Sequence, residues 1–295
     1  MKLLLVTNPS SGSASKHDRE ALLRALSPLG EIEAIEPASL DDFASEVLAA
    51  ARGRDLVVSA GGDGTLNCTV NALEGVLDEV TLALLPLGTG NDLARTLGLQ
   101  EDPLEVARGL VEGRPIELDV GRASGQGAER LFVNACMGGF PVQVNEALEA
   151  EEKERLGAAA FLWGGVKALS DLDRSTVRLQ DRDVPNCVAA GVGNGRTAGG
   201  GIEIWPDADP TDGLLDACAL PAAGPADLVK LGTSLKLGDH RQIPEVFTTR
   251  GASIRIESTP DIEINVDGEL VGLKTPATFE VFTKARVLVP GAAAS

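Results

Sequence analysis

The sequence predicts an α/β part followed by a β-rich part, on three observations. Over the first 116 residues or so, strand-like and helix-like patterns alternate, as they do in a parallel sheet flanked by helices. Two of those strands, Leu56 to Ala60 and Leu82 to Leu85, each feed a glycine-rich turn that opens a helix. From Glu117 onward the pattern changes to short apolar-polar alternations broken by Gly, Pro, Asp and Asn, which predicts mostly antiparallel strands with one face toward water. The expected architecture is therefore a Rossmann-like parallel sheet over 1–118, a mostly antiparallel part over 119–295, and a cleft between the two.

The elements follow in order. Lys2 to Thr7 reads as strand one and runs through Asn8-Pro9-Ser10-Ser11-Gly12 into a helix carrying Leu22, Leu23 and Leu26. Ile32 to Ile35 is a second strand, and Phe43, Val47 and Ala51 mark the next helix. The first glycine turn reads Gly61-Gly62-Asp63-Gly64-Thr65-Leu66-Asn67, and Leu66, Val70, Leu73 and Leu77 then recur at helical spacing. The second reads Pro86-Leu87-Gly88-Thr89-Gly90-Asn91-Asp92.

A strand-to-helix turn of this composition suits an anion. The first amides of a helix lack intrahelical partners, the helix dipole favours negative charge there, and glycines let a phosphate approach the backbone. Thr65, Asn67, Thr89 and Asn91 add neutral side-chain donors. Neither turn has the P-loop spacing, and neither has the G-x-G-x-x-G spacing of dinucleotide sites. Both turns, with Asn8 to Gly12, fall at the carboxyl ends of their strands, where open parallel sheets bind ligands.

In the second part, strands are expected at Ile116 to Val120, Arg130 to Met137, Ser175 to Gln180, Cys187 to Val192, Leu214 to Leu220, Ser253 to Ile256 and Ile262 to Val266. Helical patterns interrupt them at Gly157 to Leu169, with Phe161, Trp163 and Val166 on a broad apolar surface, and at Ala226 to Leu237. The ordinary reading of the first is a core helix, with an interfacial role as the alternative.

Composition excludes several classes. A chain of 295 residues with 43% hydrophobic and 24% charged residues has the make-up of a folded globular protein. A formal net charge of −18 argues against nucleic acid and against adsorption to anionic lipid by a general positive field, so membrane contact requires a local patch. No apolar run reaches the roughly 18 residues that a membrane span needs, and residues 1–9 are too short for a signal peptide. Cys68, Cys136, Cys187 and Cys218 form no C-x-x-C pair and read as reduced core thiols, which points to the cytoplasm. His17 and His240 sit in polar stretches and read as surface residues.

Taken together, the two glycine turns resemble the diacylglycerol kinase catalytic domain family, in particular its bacterial soluble, YegS-like lipid kinase branch. The Gly-Gly-Asp-Gly-Thr turn alone is shared with NAD kinases; the continuation Pro86-Leu87-Gly88-Thr89-Gly90-Asn91-Asp92-Leu93-Ala94 makes the pair much more specific. Further stretches extend the resemblance over nearly the whole chain. They are Glu117 to Gly121, Phe132 to Phe140, Gly193 to Gly201 running on to Asp216, and Asn265-Val266-Asp267-Gly268-Glu269.

The resemblance implies a nucleotide domain with a β-sandwich second domain, ATP and Mg2+ as cofactors, a lipid with a free hydroxyl as acceptor, and peripheral or transient membrane contact, with a homodimer left open. It places ATP on Asn8, Gly12, Gly62, Asp63, Gly64, Thr65, Leu66, Asn67, Cys68, Gly88, Thr89, Asn91 and Asp92. Glu269 becomes the general base, with Asp267 and Asp63 in support, and a structural metal falls on Asp209, Asp212 and Leu214. On chemistry alone, Asp63, Asp92, Asp119, Asp212 and Asp267 serve equally well as turn formers.

Three departures stand out. Cys68 replaces the family's Glu after the first turn, Glu36 stands where some relatives place a nucleotide-contacting Thr, and Thr197 stands where Tyr is common. The leading expectation is a lipid kinase. The alternatives are a soluble-metabolite kinase related to NAD kinases and a catalytically weak nucleotide-binding protein.

Overall fold

The computed structural model describes residues 1–8, 19–37, 39–139 and 173–291. The expected helix at Gly157 to Leu169, Gly12 and His17 lie outside the described residues. The chain forms two compact units, Met1–Val120 with Phe282–Ser295, and Gly121–Val281.

The first unit begins with β1 (Lys2–Thr7), α1 (Arg19–Leu26), β2 (Glu31–Ile35) and α2 (Leu40–Ala51). It continues with β3 (Leu56–Gly61), α3 (Asp63–Ala72), β4 (Thr81–Pro86), α4 (Asp92–Thr96), α5 (Pro103–Gly109) and the start of β5 (Arg114–Gln126). The strands pair in the order β2, β1, β3, β4, every pair parallel. A fifth parallel partner comes from the far end of the chain, where Arg286 and Val287 of β16 (Glu269–Val289) pair with Thr81 and Leu82 of β4.

Leu3, Leu4, Leu5 and Val6 are all 0% exposed, so β1 is covered on both faces, as a parallel strand between helix layers must be. Leu3, Leu5, Leu56, Val58 and Leu85 pack with Leu22 and Leu26 of α1 and Val106 and Ala107 of α5. The edge strand β2 turns the charges of Glu31 and Glu33 to solvent, which discourages further strand pairing. Helix starts carry their own caps: Ser39 Oγ accepts from the Asp42 amide at 3.1 Å, and Asp102 accepts from Leu104 at 2.9 Å ahead of Pro103.

The second unit holds β6 (Glu129–Phe132), β7 (Ala135–Gly139), β8 (Ser175–Leu179), β9 (Arg182–Gly193), β10 (Thr197–Ala198), β11 (Ile202–Glu203) and β12 (Leu215–Pro221). After α6 (Pro225–Leu237) come β13 (Phe247–Gly251), β14 (Ser253–Thr259), β15 (Glu263–Val266) and most of β16. Its ladders are antiparallel, and successive pairings from β7 to β15, β16, β14, β8, β9 and back to β7 close on themselves. Phe132, Val177, Val192, Ala217, Ile254, Ile264 and Phe279 fill the space they enclose, with Phe132 and Phe279 meeting edge to face at 6.3 Å between ring centroids. On the outer side of β7, β9 and β12, a second cluster joins Met137, Val188 and Leu220 to Trp205 and to Leu231 of α6.

Two features depart from the sequence reading. The strands β10, β11, β13 and β16 were not expected, and β16 stays extended for 21 residues through Gly272 and Pro276, residue types that weaken or interrupt a strand. His240 is not a surface residue: it is 0% exposed, with Nε2 3.0 Å from the Ile204 carbonyl, and burial lowers its pKa. Its neighbours Asp239 and Arg241 are polar, which hid an inward-facing ring. Cys136, Cys187 and Cys218 are buried free thiols, and burial drives the Cys187 and Cys218 pKa values up to about 12. Among the described residues no helix is long and apolar enough to cross a membrane.

Candidate functional site

The parallel register of β3 and β4 sets Gly61 opposite Pro86, so both glycine turns leave the sheet side by side. They then meet backbone to backbone. A Cβ on Gly88 would lie 2.4 Å from the Gly62 Cα, and one on Gly62 would lie 3.1 Å from the Gly88 Cα. Packing, rather than a left-handed φ, is what demands glycine at these two positions. A Cβ on Gly90 would instead meet a side-chain atom, 2.9 Å from Asp63 Oδ2.

One carboxylate ties the turns together. Asp63, the first residue of α3, accepts the Asp92 amide on Oδ2 at 3.1 Å and the Leu93 amide on Oδ1 at 3.3 Å. Inside the second turn, Asn91 sits in the left-handed region at φ 50° and clamps Gly88. Its Oδ1 accepts from the Gly88 amide at 3.0 Å, and its Nδ2 donates to the Gly88 carbonyl at 2.6 Å.

The side chains expected at the anion site divide into two groups. Thr89 is exposed, and Gly62, Asp63, Gly64, Cys68, Gly88 and Asn91 are half-buried. Thr65, Leu66, Asn67 and Asp92 are buried, with the Asn71 carboxamide donating to the Asn67 carbonyl at 2.9 Å. Asn8 is half-buried just past Thr7, which pairs with Ala60, so it stands in the same row at the carboxyl edge of the sheet.

Beside the second turn lies a cavity of about 270 Å³ lined by residues that include Leu87, Gly88, Thr89, Asn91, Arg95 and Glu101. Arg95 was not singled out from the sequence. It donates to the Gly90 carbonyl and lies 3.8 Å from Asp92 Oδ1, placing a cation at the turn. Its position four residues after Asn91, one helical turn on, was the available signal. Asp119 is fully buried in this unit and faces Lys284 Nζ at 3.2 Å, a pairing across 165 positions that no local pattern announces.

In the second unit, Asp267 is buried and holds a turn. Its carboxylate accepts the amides of Val133, Asn134 and Ala135, each at 2.9 Å, and its own amide donates to the Ala135 carbonyl at 2.8 Å. Asp267 and Gly268, at φ 49° and 89°, form the two-residue link between β15 and β16, with Val266 opposite Glu269. The Asn194 side chain donates to the Val133 carbonyl at 2.8 Å, and the Asn134 side chain donates to the Thr197 carbonyl at 3.0 Å. Asp267 is thus a positioning residue for Phe132 to Ala135 and for its own hairpin. Glu269, one residue past the turn, is exposed.

In the loop expected to hold a metal, Asp209 and Asp212 hydrogen-bond within the loop. Asp209 Oδ1 accepts from the Thr211 amide at 3.0 Å and from its hydroxyl at 2.7 Å, while the Asp209 carbonyl accepts from the Asp212 amide at 3.3 Å. Asp212 accepts the Leu214 amide on Oδ1 at 3.0 Å and is ion-paired with Arg250 through Oδ2. Among the described residues no group of three or more His, Cys, Asp or Glu gathers as a metal cluster. A guanidinium paired with Asp212, one of the two carboxylates of the expected ligand set, does not fit a second cation on the same oxygen. Of the residues at departures from the family pattern, Glu36 lies 3.9 Å from Arg19, and Thr197 starts β10.

Comparison with known proteins matches both parts of the chain. The family described as diacylglycerol kinase catalytic domain matches residues 2–123, and the family described as YegS C-terminal NAD kinase beta sandwich-like domain matches residues 134–289. A Pseudomonas putida protein named "probable lipid kinase YegS-like" is 39% identical over 232 residues, covering 76% of this chain and 73% of that protein. One of the same name from Stenotrophomonas maltophilia is 35% identical over 227 residues, covering 74% of each. The crystal structure of a diacylglycerol kinase from Bacillus anthracis str. Sterne aligns over 100% of this chain and 98% of its own, with a TM-score of 0.76 and 26% identity.

Proposed function

The chain is a kinase belonging to the diacylglycerol kinase catalytic domain family, among the YegS-like lipid kinases, and on that premise we propose that it moves the γ-phosphate of ATP to a free lipid hydroxyl. Diacylglycerol and phosphatidylglycerol are the expected acceptors. The observation that carries this reading is the backbone contact of Gly62 with Gly88, bridged by Asp63, which brings two phosphate-type turns to one place. Against the expected division at residue 118, the unit Met1–Val120 with Phe282–Ser295 is read as the nucleotide domain and Gly121–Val281 as the β-sandwich domain.

In this mechanism the amides of the two turns hold the phosphate oxygens, and Arg95 adds positive charge beside the second turn. A divalent ion bound with ATP would supply charge neutralisation on the phosphates, while the Asp63 carboxylate holds the second turn in place through the Asp92 and Leu93 amides. Glu269 takes the proton from the attacking lipid hydroxyl. Asp267 sets the hairpin that presents Glu269. Membrane contact is peripheral and transient.

The test is transfer of radiolabelled γ-phosphate over a panel of glycerolipids and sphingolipids, with NAD in parallel. The expected product is a phosphorylated glycerolipid formed only with ATP and a divalent ion. Labelling of NAD instead, or of no lipid, overturns the reading. Glu269→Gln is expected to lower kcat at least roughly a hundredfold with ATP binding retained; full turnover in this variant rules Glu269 out as the base.

A further inference from the structure

The loop from Asp209 to Leu214, where the family resemblance places a cation, already faces a cation of the chain's own. Arg250 lies on β13 directly opposite Asp216 of β12, so ladder register fixes where its guanidinium emerges. From there it reaches two carboxylates: Nε lies 3.1 Å from Asp216 Oδ2, and the other end of the fork pairs with Asp212 Oδ2. The planar guanidinium keeps its charge throughout the working pH range and presents its donors in a rigid fork, which suits it to bridging two carboxylates. The remaining Asp212 oxygen closes the loop on the Leu214 amide, and Asp209 closes it on Thr211.

We propose that Arg250 is the resident cation of this loop, neutralising Asp212 and Asp216 and pinning the turn to the β12–β13 ladder where a divalent ion would otherwise do so. Arg250 and a divalent ion exclude one another at Asp212, because both need the same oxygen and both are positive. Removing the guanidinium leaves Asp212 and Asp216 without their cation and opens a divalent site.

The experiment uses the full nucleotide-free chain and no turnover measurement, so its outcome is independent of the kinase reading. Thermal unfolding is followed in EDTA and in excess Mg2+ or Ca2+, and Mn2+ binding is counted by electron paramagnetic resonance. The wild type is expected to unfold at the same temperature in EDTA and in metal, and its Mn2+ count is expected to be unchanged by Asp212→Asn. Arg250→Gln is expected to unfold earlier in EDTA and to regain roughly 5 °C at metal concentrations about a hundredfold above Kd. Adding Asp212→Asn to Arg250→Gln abolishes that response. A wild-type Mn2+ ion lost on Asp212→Asn overturns the proposal, as does a folded Arg250→Gln variant indifferent to metal. Should Arg250→Gln fail to fold even with metal, the claim of an opened site falls, and the wild-type and Asp212→Asn counts still decide whether Arg250 excludes the ion.

Discussion

Asp63 and Asp267 perform the same local task in the two units and differ in what surrounds them. Each carboxylate accepts backbone amides of a turn distant in sequence: Asp63 takes two from residues 92–93, and Asp267 takes three from residues 133–135. Asp63 is half-buried beside glycines whose backbones touch, whereas Asp267 is 5% exposed in a core of strands. The first set of hydrogen bonds is part-buried. The second uses its amides to fix a fold. An Asp-Gly pair in a sequence thus marks a turn in both cases, and only the setting decides whether the turn holds a ligand or the protein.

The comparison is broken most severely at Asp267. Replacing it with Ala leaves three buried amides without their acceptor, and the expected loss is about 3–5 kcal/mol of unfolding free energy, measured by urea titration. Asp63→Ala, with two part-buried amides rather than three buried ones, is expected to cost about 1–2 kcal/mol while weakening ATP use much more. Equal stability losses at the two positions would contradict the distinction.

Next in size is the contact between the glycine turns. Gly88→Ala drives a methyl into Gly62 and is expected to reduce ATP-dependent turnover roughly a hundredfold or more, since small displacements of positioning groups cost that much. Gly75→Ala, where a Cβ meets nothing within 4 Å, is the matched control and is expected to change stability by no more than about 0.5 kcal/mol. Normal kinetics in Gly88→Ala would separate the turns from catalysis.

The smallest effect sharpens the contrast between legible and hidden residues. Because burial lowers the His240 pKa below its ordinary 6.5, the unfolded chain binds the proton more readily than the folded one. The stabilising contribution of a neutral His240 is complete above about pH 6.5 and fades as the pH falls below it. His240→Gln should flatten that part of the stability profile measured by urea unfolding at a series of pH values. An unchanged profile would assign the slope to other groups.

What the sequence made legible follows from range. The strands β1, β3 and β4 were readable because each is buried on both faces and so appears as a largely apolar run, and the two turns were readable because close packing restricts them to glycine. Asp63 to Asn91 is a local pattern repeated on adjacent strands. By contrast, Arg250 meets Asp212 and Lys284 meets Asp119 through strand register set across long separations, and β16 carries Gly272 and Pro276 through an extended course that local rules would end. The inward face of His240 was masked for a related reason, its partner being the Ile204 carbonyl 36 positions away.

Hydrogen exchange at the amides of residues 62–65 and 88–91, measured with and without ATP and Mg2+, bears most directly on the central claim. If the two turns grip one triphosphate, both sets of amides slow together on adding nucleotide, and Gly88→Ala loses the protection at both. Protection of one set alone, or of neither while ATP is bound, would contradict it.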